Sequence, residues 1–346
     1  MKRLALEFVE PLCVEVLEES VSEPADDQVL VRTEVSAISS GTEMLVFKGL
    51  VPEDLSVDET LPSLPGDSFA YPLRYGYSCA GHVVEAGAGV DPWWVGRPVF
   101  ALHPHASHVT ARPGELVPVP EGMTLDDAVF AANMETAVNL ILDGQPLIGE
   151  KVVVMGQGVV GLLTAALLAM FPLDILVCVD PLQSRRDQAL TLGADMVLGE
   201  APGGGAADSG RQPGTESWNG PADLVFELTG RPQALDQALQ WCGFHSRVVI
   251  GSWYGTQTAA VNLGGRFHRD LVRMLSSQVS TINPELRGRW DISRRMRTAM
   301  DMIQAVRPSR LISHRFPIRQ AQQAYEQVAG HPGDTLQVVL EYGLFD

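Results

Sequence analysis

Val152-Val153-Val154-Met155-Gly156-Gln157-Gly158-Val159-Val160-Gly161 is the stretch whose reading decides the fold. Lys151 and the four apolar residues after it, 151–155, read as a buried strand. Three glycines follow at GxGxxG spacing, and the apolar run 162–171 reads as a helix. In a strand–loop–helix context each glycine has a reason. Gly156 permits the tight turn, Gly158 lets the main chain approach a pyrophosphate, and Gly161 allows close packing of helix on strand. Gln157, Val159 and Val160 share the same turn. The start of a helix carries unpaired N–H groups and a partial positive charge that suit phosphate. A second strand, 175–179, ends in Asp180, 24 residues after Gly156. A carboxylate there bonds ribose hydroxyls and repels a 2′-phosphate, which favours NAD over NADP. Arg185 and Arg186 keep NADP open, because a guanidinium also binds phosphate. Their plain alternative is a solvated first turn of the next helix.

Working outward, residues 1–120 read mainly as strands and loops. Val29, Val31, Thr33 and Val35 alternate at strand period, and proline and glycine recur between residues 52 and 81. The texture changes near Thr124, a helix cap for an apolar-faced helix over 125–142. After the glycine loop come a helix over 184–192 and strands at 196–198, 224–227 and 247–250. Strands alternating with helices predict βαβ units and a parallel sheet, hence the α/β class. Residues 200–220, rich in Gly, Ala, Ser and Pro, supply few core side chains and read as a surface insertion. Helices over 294–306 and 319–328 and a strand over 335–341 close the chain.

The chain's 346 residues favour two domains. With 42 Asp plus Glu against 25 Lys plus Arg, the formal charge is −17. Such a surface repels nucleic acid and anionic lipid, so neither nucleic acid nor a membrane is an expected partner. Cys13, Cys79, Cys178 and Cys242 lie far apart with no CxxC spacing, and read as four buried free thiols in a reducing cytoplasm. Glu7 and Glu10 interrupt the apolar run after Lys2 and Arg3, so no leader is expected. The apolar run 159–171 is too short to span a bilayer.

Several further segments resemble the medium-chain dehydrogenase/reductases, in order and over nearly the whole chain. Ile38-Ser39-Ser40-Gly41-Thr42-Glu43 resembles the family's CGTD loop. Tyr75-Gly76-Tyr77-Ser78-Cys79-Ala80-Gly81-His82-Val83-Val84 resembles its GHExxGxV segment. Glu135-Thr136-Ala137 resembles the threonine-bearing helix beneath the nicotinamide, and Leu192-Gly193-Ala194-Asp195 its LGAD. The resemblance implies a GroES-like β-barrel catalytic domain over 1–133 and 280–346. It implies a Rossmann doubly wound parallel sheet over 134–279, and a homodimer. Ser40-Gly41-Thr42-Glu43, Phe100 to His105, Gly251 to Gly255 and Ser276-Ser277-Gln278 resemble one branch more closely. That branch contains bacteriochlorophyllide a dehydrogenase, which acts on a 1-hydroxyethyl group of a large tetrapyrrole.

The departures concern zinc. Where zinc-dependent members carry the CGTD cysteine and the histidine and glutamate of GHE, this chain has Ser40, Tyr77 and Ser78, and the third ligand position falls near Ala132. A catalytic zinc needs three good ligands and an open position, which these residues do not offer. The four-cysteine structural lobe is also absent, so the expectation is a zinc-free, NAD(P)-dependent enzyme with no metal. Hydride transfer then needs proximity and a group to stabilise the developing oxyanion. Thr42 matches the family's proton-relaying hydroxyl, and Tyr77 stands where the zinc histidine would aim at the reacting carbonyl. Glu43 is placed to orient a donor. His103 and His105, alternating on an expected strand, would share a face and bring His105 to the chemistry and His103 to the substrate pocket. The family geometry implies cofactor contacts for Thr136, Thr229, Gly251 and Ser252, and a substrate wall of Trp253 and Tyr254. For each aromatic the plain alternative is a core residue. The leading expectation is oxidation of a secondary alcohol, or reduction of a ketone, in a small-molecule substrate. A C=C reductase of enoyl or quinone type is the alternative, and a non-catalytic dinucleotide sensor or scaffold the third.

Overall fold

The protein is described from a computed structural model over residues 1–52, 55, 68–200, 218 and 220–343. Most of the insertion expected over 200–220 lies outside the described residues. The chain forms two compact units, Met1–Ala132 with Met296–Asp346, and Asn133–Arg295.

Unit 1 begins with a hairpin, β1 (Lys2–Glu10) and β2 (Cys13–Ser20). A seven-stranded mixed sheet follows. Its strands are β3 (Val29–Ala37), β4 (Cys79–Ala86), β5 (Pro98–Ala101), β6 (His108–Ala111), β7 (Leu116–Pro118), β14 (Ile312–Pro317) and β15 (Gln337–Glu341). The order is β14-β15-β3-β4-β5-β7, with β6 also on β3. Strand β3 carries the alternation read from the sequence, and its valines 29, 31 and 35 are all buried. The short helix α1 (Thr42–Phe47) and α8 (Ala321–Gly330) pack in one apolar cluster with Phe8, Phe47 and Tyr325, whose rings lie 5.2–5.4 Å apart.

The helix expected over 125–142 is two helices, α2 (Leu125–Ala128) and α3 (Ala131–Gly144). Thr124 caps α2 as expected, its side chain accepting from Asp127 N–H at 3.1 Å. The break has a side-chain cause: the Ser78 hydroxyl donates to the Val129 carbonyl at 2.6 Å, taking an acceptor that a continuous helix would use internally.

In unit 2 the parallel sheet consists of β8 (Lys151–Met155), β9 (Ile175–Val179), β10 (Met196–Leu198), β11 (Ala222–Glu227), β12 (Cys242–Ile250) and β13 (Arg273–Ser276). Its order, β10-β9-β8-β11-β12-β13, reverses direction between β8 and β11. Ligand crevices form at such a switch point, outside the carboxyl ends of the strands. Val152, Val153 and Val154 are wholly buried, as a strand covered on both faces requires. Helices α4 (Val159–Leu168), α5 (Gln183–Thr191) and α6 (Ala234–Trp241) complete the βαβ pattern. Helix α4 starts at Val159, three residues before the expected start at 162. Gly158 caps it in an extended conformation, so the second half of the glycine motif is already helical.

Helix α7 (Ile292–Val306) leads back to unit 1, the second unit ending at Arg295 where the sequence placed the return near 280. Residues 277–295 are fastened to unit 2 by polar contacts. Arg295, 1% exposed, bonds Glu135 Oε1 at 3.1 Å, Asn139 Oδ1 at 2.6 Å and the Thr281 carbonyl at 3.1 Å. Glu135, the residue before Thr136 in the motif likened to the helix beneath the nicotinamide, is therefore one half of a buried ion pair. Burial raises its carboxyl above the usual range while Arg295 opposes the shift.

No helix among the described residues is long and apolar enough to cross a membrane. All four cysteines are free; Cys13 is half-buried rather than buried, while burial pushes Cys79, Cys178 and Cys242 up to about 12.

Candidate active site

The glycine turn of unit 2 is shaped for close approach. Gly156 adopts φ +90°, and a Cβ there would lie 2.6 Å from the Leu228 carbonyl oxygen. A Cβ on Gly161 would fall 1.9 Å from the Gly156 carbonyl oxygen, so helix α4 can sit this close only with glycine. A Cβ on Gly158 would meet nothing within 4 Å. Space is thus left open beside the one glycine expected to face pyrophosphate, at the amino end of the ten-residue helix α4, where Val160 is half-buried and Val159 buried. These residues fit a dinucleotide phosphate.

Asp180 follows β9 and is 4% exposed. Its Oδ2 accepts from Gln157 N–H at 2.8 Å and its Oδ1 from Leu182 N–H at 2.9 Å. Gln157 is wholly buried, and its amide donates to the Val154 carbonyl at 2.9 Å. Gln157, read with the glycine turn as part of the cofactor site, turns its side chain inward, and its main-chain N–H ties Asp180 to the glycine loop. Arg185 lies 3.9 Å from Asp180, and Arg186 donates to the Pro181 carbonyl at 2.9 Å and to the Asp180 carbonyl at 2.6 Å. Both arginines therefore brace the Asp180 turn.

Beyond β11, the wholly buried Glu227 accepts from Thr229 N–H at 2.9 Å and from the Tyr254 hydroxyl at 2.6 Å. Ser252 Oγ accepts from Gly230 N–H at 2.9 Å. Thr229, Gly251, Ser252 and Tyr254 are thus gathered at the carboxyl ends of β11 and β12. Tyr254, expected in the substrate wall, gives its hydroxyl to Glu227, so only its ring is left to form such a wall; burial and that carboxylate raise its pKa above the ordinary value. Trp253 is 37% exposed and Thr136 half-buried.

In unit 1 the expected catalytic residues form one polar cluster. The Tyr77 phenol donates to Ser39 Oγ at 2.6 Å, and Thr42 N–H donates to the same oxygen at 3.3 Å. Burial, then the Glu43 carboxylate, push Tyr77 up to about 12, so the phenol keeps its proton at neutral pH. Glu43 and His105 are each wholly buried and 2.9 Å apart (Oε2 to Nε2). That burial corrects the expectation that His105 reaches the chemistry, since it has no surface to offer; Glu43, expected to orient a donor, is equally buried. His103 and His105 lie in a non-strand segment, so strand alternation does not apply to them. His105 turns to Ser36 and Glu43, whereas His103 Nδ1 meets the Pro104 carbonyl at 2.8 Å, and burial lowers it to about 4. Ser39, Ser36, Tyr325 and Tyr342 were missed in the sequence. Tyr325 and Glu43 are 282 positions apart, and no local pattern marks either tyrosine.

The zinc positions were tested against the same geometry. The hydroxyls of Tyr77 and Ser78 are committed to Ser39 and Val129, and Ala132 has no donor atom. The nearby Cys79 thiol donates to the His103 carbonyl at 3.3 Å, and burial opposes its thiolate. Among the described residues no group of three His, Cys, Asp or Glu is placed to hold a metal ion. The residues present do not fit zinc.

The chain matches no protein-family model. It is 25% identical over 290 residues to D-guloside 3-dehydrogenase of Escherichia coli K12, covering 80% of this chain and 81% of the relative. Its fold is similar to that of a dehydrogenase from Sinorhizobium meliloti bound to NADP (TM-score 0.77, 19% identity, 99% and 100% of the two chains). It is also similar to zinc dependent alcohol dehydrogenase 2 of Streptococcus pneumonia (TM-score 0.75, 17% identity, 99% of each chain). The two structure neighbours are, by name, a zinc-binding and a zinc dependent dehydrogenase, and the fold of this chain is the GroES-like plus Rossmann fold of medium-chain dehydrogenases.

Proposed function

We propose that this protein is a zinc-independent, NAD(H)-preferring dehydrogenase that interconverts a secondary alcohol and a ketone on a polyhydroxylated or similar organic substrate. The observation that carries the reading is an open glycine cradle with Asp180 fixed beside it; a protonated phenol, Tyr77, held on Ser39 at the position that the motif resemblance equates with a zinc-ligating histidine, supports it. The dinucleotide, when bound, accepts or supplies the hydride. Gly156, Gly158 and Gly161 with the start of α4 would hold its pyrophosphate. Asp180 would receive ribose hydroxyls, and its carboxylate disfavours a 2′-phosphate. The bracing roles of Arg185 and Arg186 weaken the case for NADP. Thr136, Thr229, Gly251 and Ser252 would complete the cofactor contacts, with Trp253 beside the substrate.

Tyr77 would hold a proton at its phenol oxygen for the developing alkoxide, with Thr42 beside it. His103 remains a candidate lining residue. The named relative acts, by its name, on a guloside, which supports a sugar or polyol. The closer branch resemblance adds 1-hydroxyethyl groups on large rings to the substrates worth trying. Strand β13 forms one edge of the unit 2 sheet and offers a second copy of the chain a pairing surface, which supports the homodimer.

The test is turnover of a panel of sugars, polyols and 1-hydroxyethyl compounds by chelator-treated protein with NAD or NADP. Activity that survives the chelator and falls in Tyr77→Phe supports the reading. Activity that appears only with added zinc sinks it. Reduction confined to conjugated C=C substrates would favour the reductase alternative instead.

A further inference from the structure

We propose that Glu43 is a positioning residue for the Tyr77 phenol, acting through Ser39, and that His105, Ser36 and Tyr325 exist to hold Glu43. The proposal rests on the assignment of Tyr77 as the proton donor. Both Glu43 oxygens are in use. Oε1 accepts from Ser39 N–H at 2.8 Å; Oε2 accepts from the Tyr325 hydroxyl and meets His105 Nε2 at 2.9 Å. The other ring nitrogen of His105 meets Ser36 Oγ at 2.7 Å, and Ser36 Oγ meets the Tyr342 hydroxyl at 2.8 Å. His105 and Tyr325 of helix α8, from two distant segments, thus meet the Glu43 carboxylate directly, and Ser36 of β3 and Tyr342 after β15 back it through His105.

A local explanation accounts for part of this. Ser39 Oγ accepting from Thr42 N–H, with the Glu43 side chain returning to Ser39 N–H, resembles an ordinary helix-start arrangement. It does not account for a Glu that is wholly buried at such a turn, nor for its two partners from distant segments. It also leaves unexplained why the cap oxygen receives the Tyr77 phenol. Burying a carboxylate is costly unless every lone pair is matched, and a fully matched network fixes its members in place. The segment bearing Tyr77 is fitted to the same network. Gly76 has φ +119°, and a Cβ there would lie 2.7 Å from the His105 ring.

The consequence is a fixed acceptor, Ser39 Oγ, under a half-buried phenol. The phenol oxygen stays put while its O–H turns about the C–O bond, from Ser39 toward an incoming carbonyl. Glu43 touches neither substrate nor cofactor in this arrangement. The titratable groups that face Tyr77 are Glu43 from α1 and Tyr325 from α8, with the Tyr75 ring 6.1 Å away edge-on; His105, Cys79 from β4 and Tyr342 face Glu43.

The experiment labels the tyrosine Cζ atoms with carbon-13 in the full chain and assigns Tyr77 by its loss in Tyr77→Phe. Ser39→Ala and Glu43→Gln should each shift or broaden the Tyr77 resonance, and Asp180→Ala should leave it unmoved. In kinetics, Ser39→Ala and Glu43→Gln should lower kcat about tenfold, with KM for the alcohol changed less than about twofold. In the Tyr77→Phe background neither should lower it further. An unmoved Tyr77 resonance in Ser39→Ala overturns the proposal. So does an equal loss of rate in both backgrounds, which marks a general structural effect. Should the wild type turn over no alcohol, the functional reading fails while the resonance still decides the positioning role.

Discussion

The dinucleotide site and the unit 1 cluster differ in how far apart along the chain their parts lie. In unit 2, one ten-residue stretch and Asp180 supply the glycine cradle, the helix start and the acid proposed to meet the ribose, largely through main-chain geometry. In unit 1, Ser36, Ser39, Glu43, Tyr77, His105, Tyr325 and Tyr342 come from across the unit and act through side chains. A main-chain site tolerates varied side chains but few changes at its glycines. A side-chain site can exchange one chemistry for another at fixed positions, and here hydroxyls and a phenol stand at the positions that the motif resemblance equates with metal ligands.

The largest expected effect breaks the unit 1 side of this comparison alone. Tyr77→Phe should lower kcat by about 10²–10⁴, the usual worth of a placed general acid, while dinucleotide affinity holds. Steady-state kinetics beside a binding titration separates the two; a matching loss of affinity would argue against the role.

The glycines sharpen the other side. Gly158→Ala adds a methyl group where nothing lies within 4 Å. Its unfolding midpoint should stay at the wild-type value while NADH affinity falls roughly tenfold or more, because the space belongs to the ligand. Gly161→Ala places a methyl 1.9 Å from the Gly156 carbonyl oxygen, so it should lose stability by about 1–3 kcal/mol as well as binding. Denaturant unfolding and fluorescence titration of both variants give the check. Equal stability losses would mean that the two glycines do the same job.

The smallest effect is a pH dependence in unit 1. Burial lowers His103 from 6.5 to about 4, so below pH 6.5 the unfolded chain binds a proton that the folded chain refuses. Stability is therefore lost as pH falls from about 6.5 toward about 4, by an amount on the order of 2 kcal/mol. His103→Gln should flatten that acid limb in urea unfolding measured across pH. A variant with an unchanged limb would assign the loss to other groups.

What the sequence made legible follows the same division. Strands 151–155, 175–179 and 196–198 were placed to the residue because buried apolar runs bounded by turns mark them. The glycine spacing located the turn. The α2–α3 break was not legible, because its cause is the Ser78 hydroxyl 51 positions away. The alternation of His103 and His105 suggested a strand that the Pro104 segment does not form, and the resemblance could name Glu43 but not its burial. The buried role of Arg295 was not read from the sequence, since nothing local announces the four acceptors, drawn from Glu135, Asn139, Val279 and Thr281, that wait for it.

The most direct test of a zinc-independent, NAD-preferring dehydrogenase site is a titration of NADH and NADPH into chelator-treated protein. Nicotinamide fluorescence is followed for wild type and Asp180→Ala. The expected result is NADH binding without metal, tighter than NADPH, and weakened roughly tenfold in the variant while NADPH binding is spared. Binding of neither cofactor, or binding that returns only when zinc is added, would contradict it.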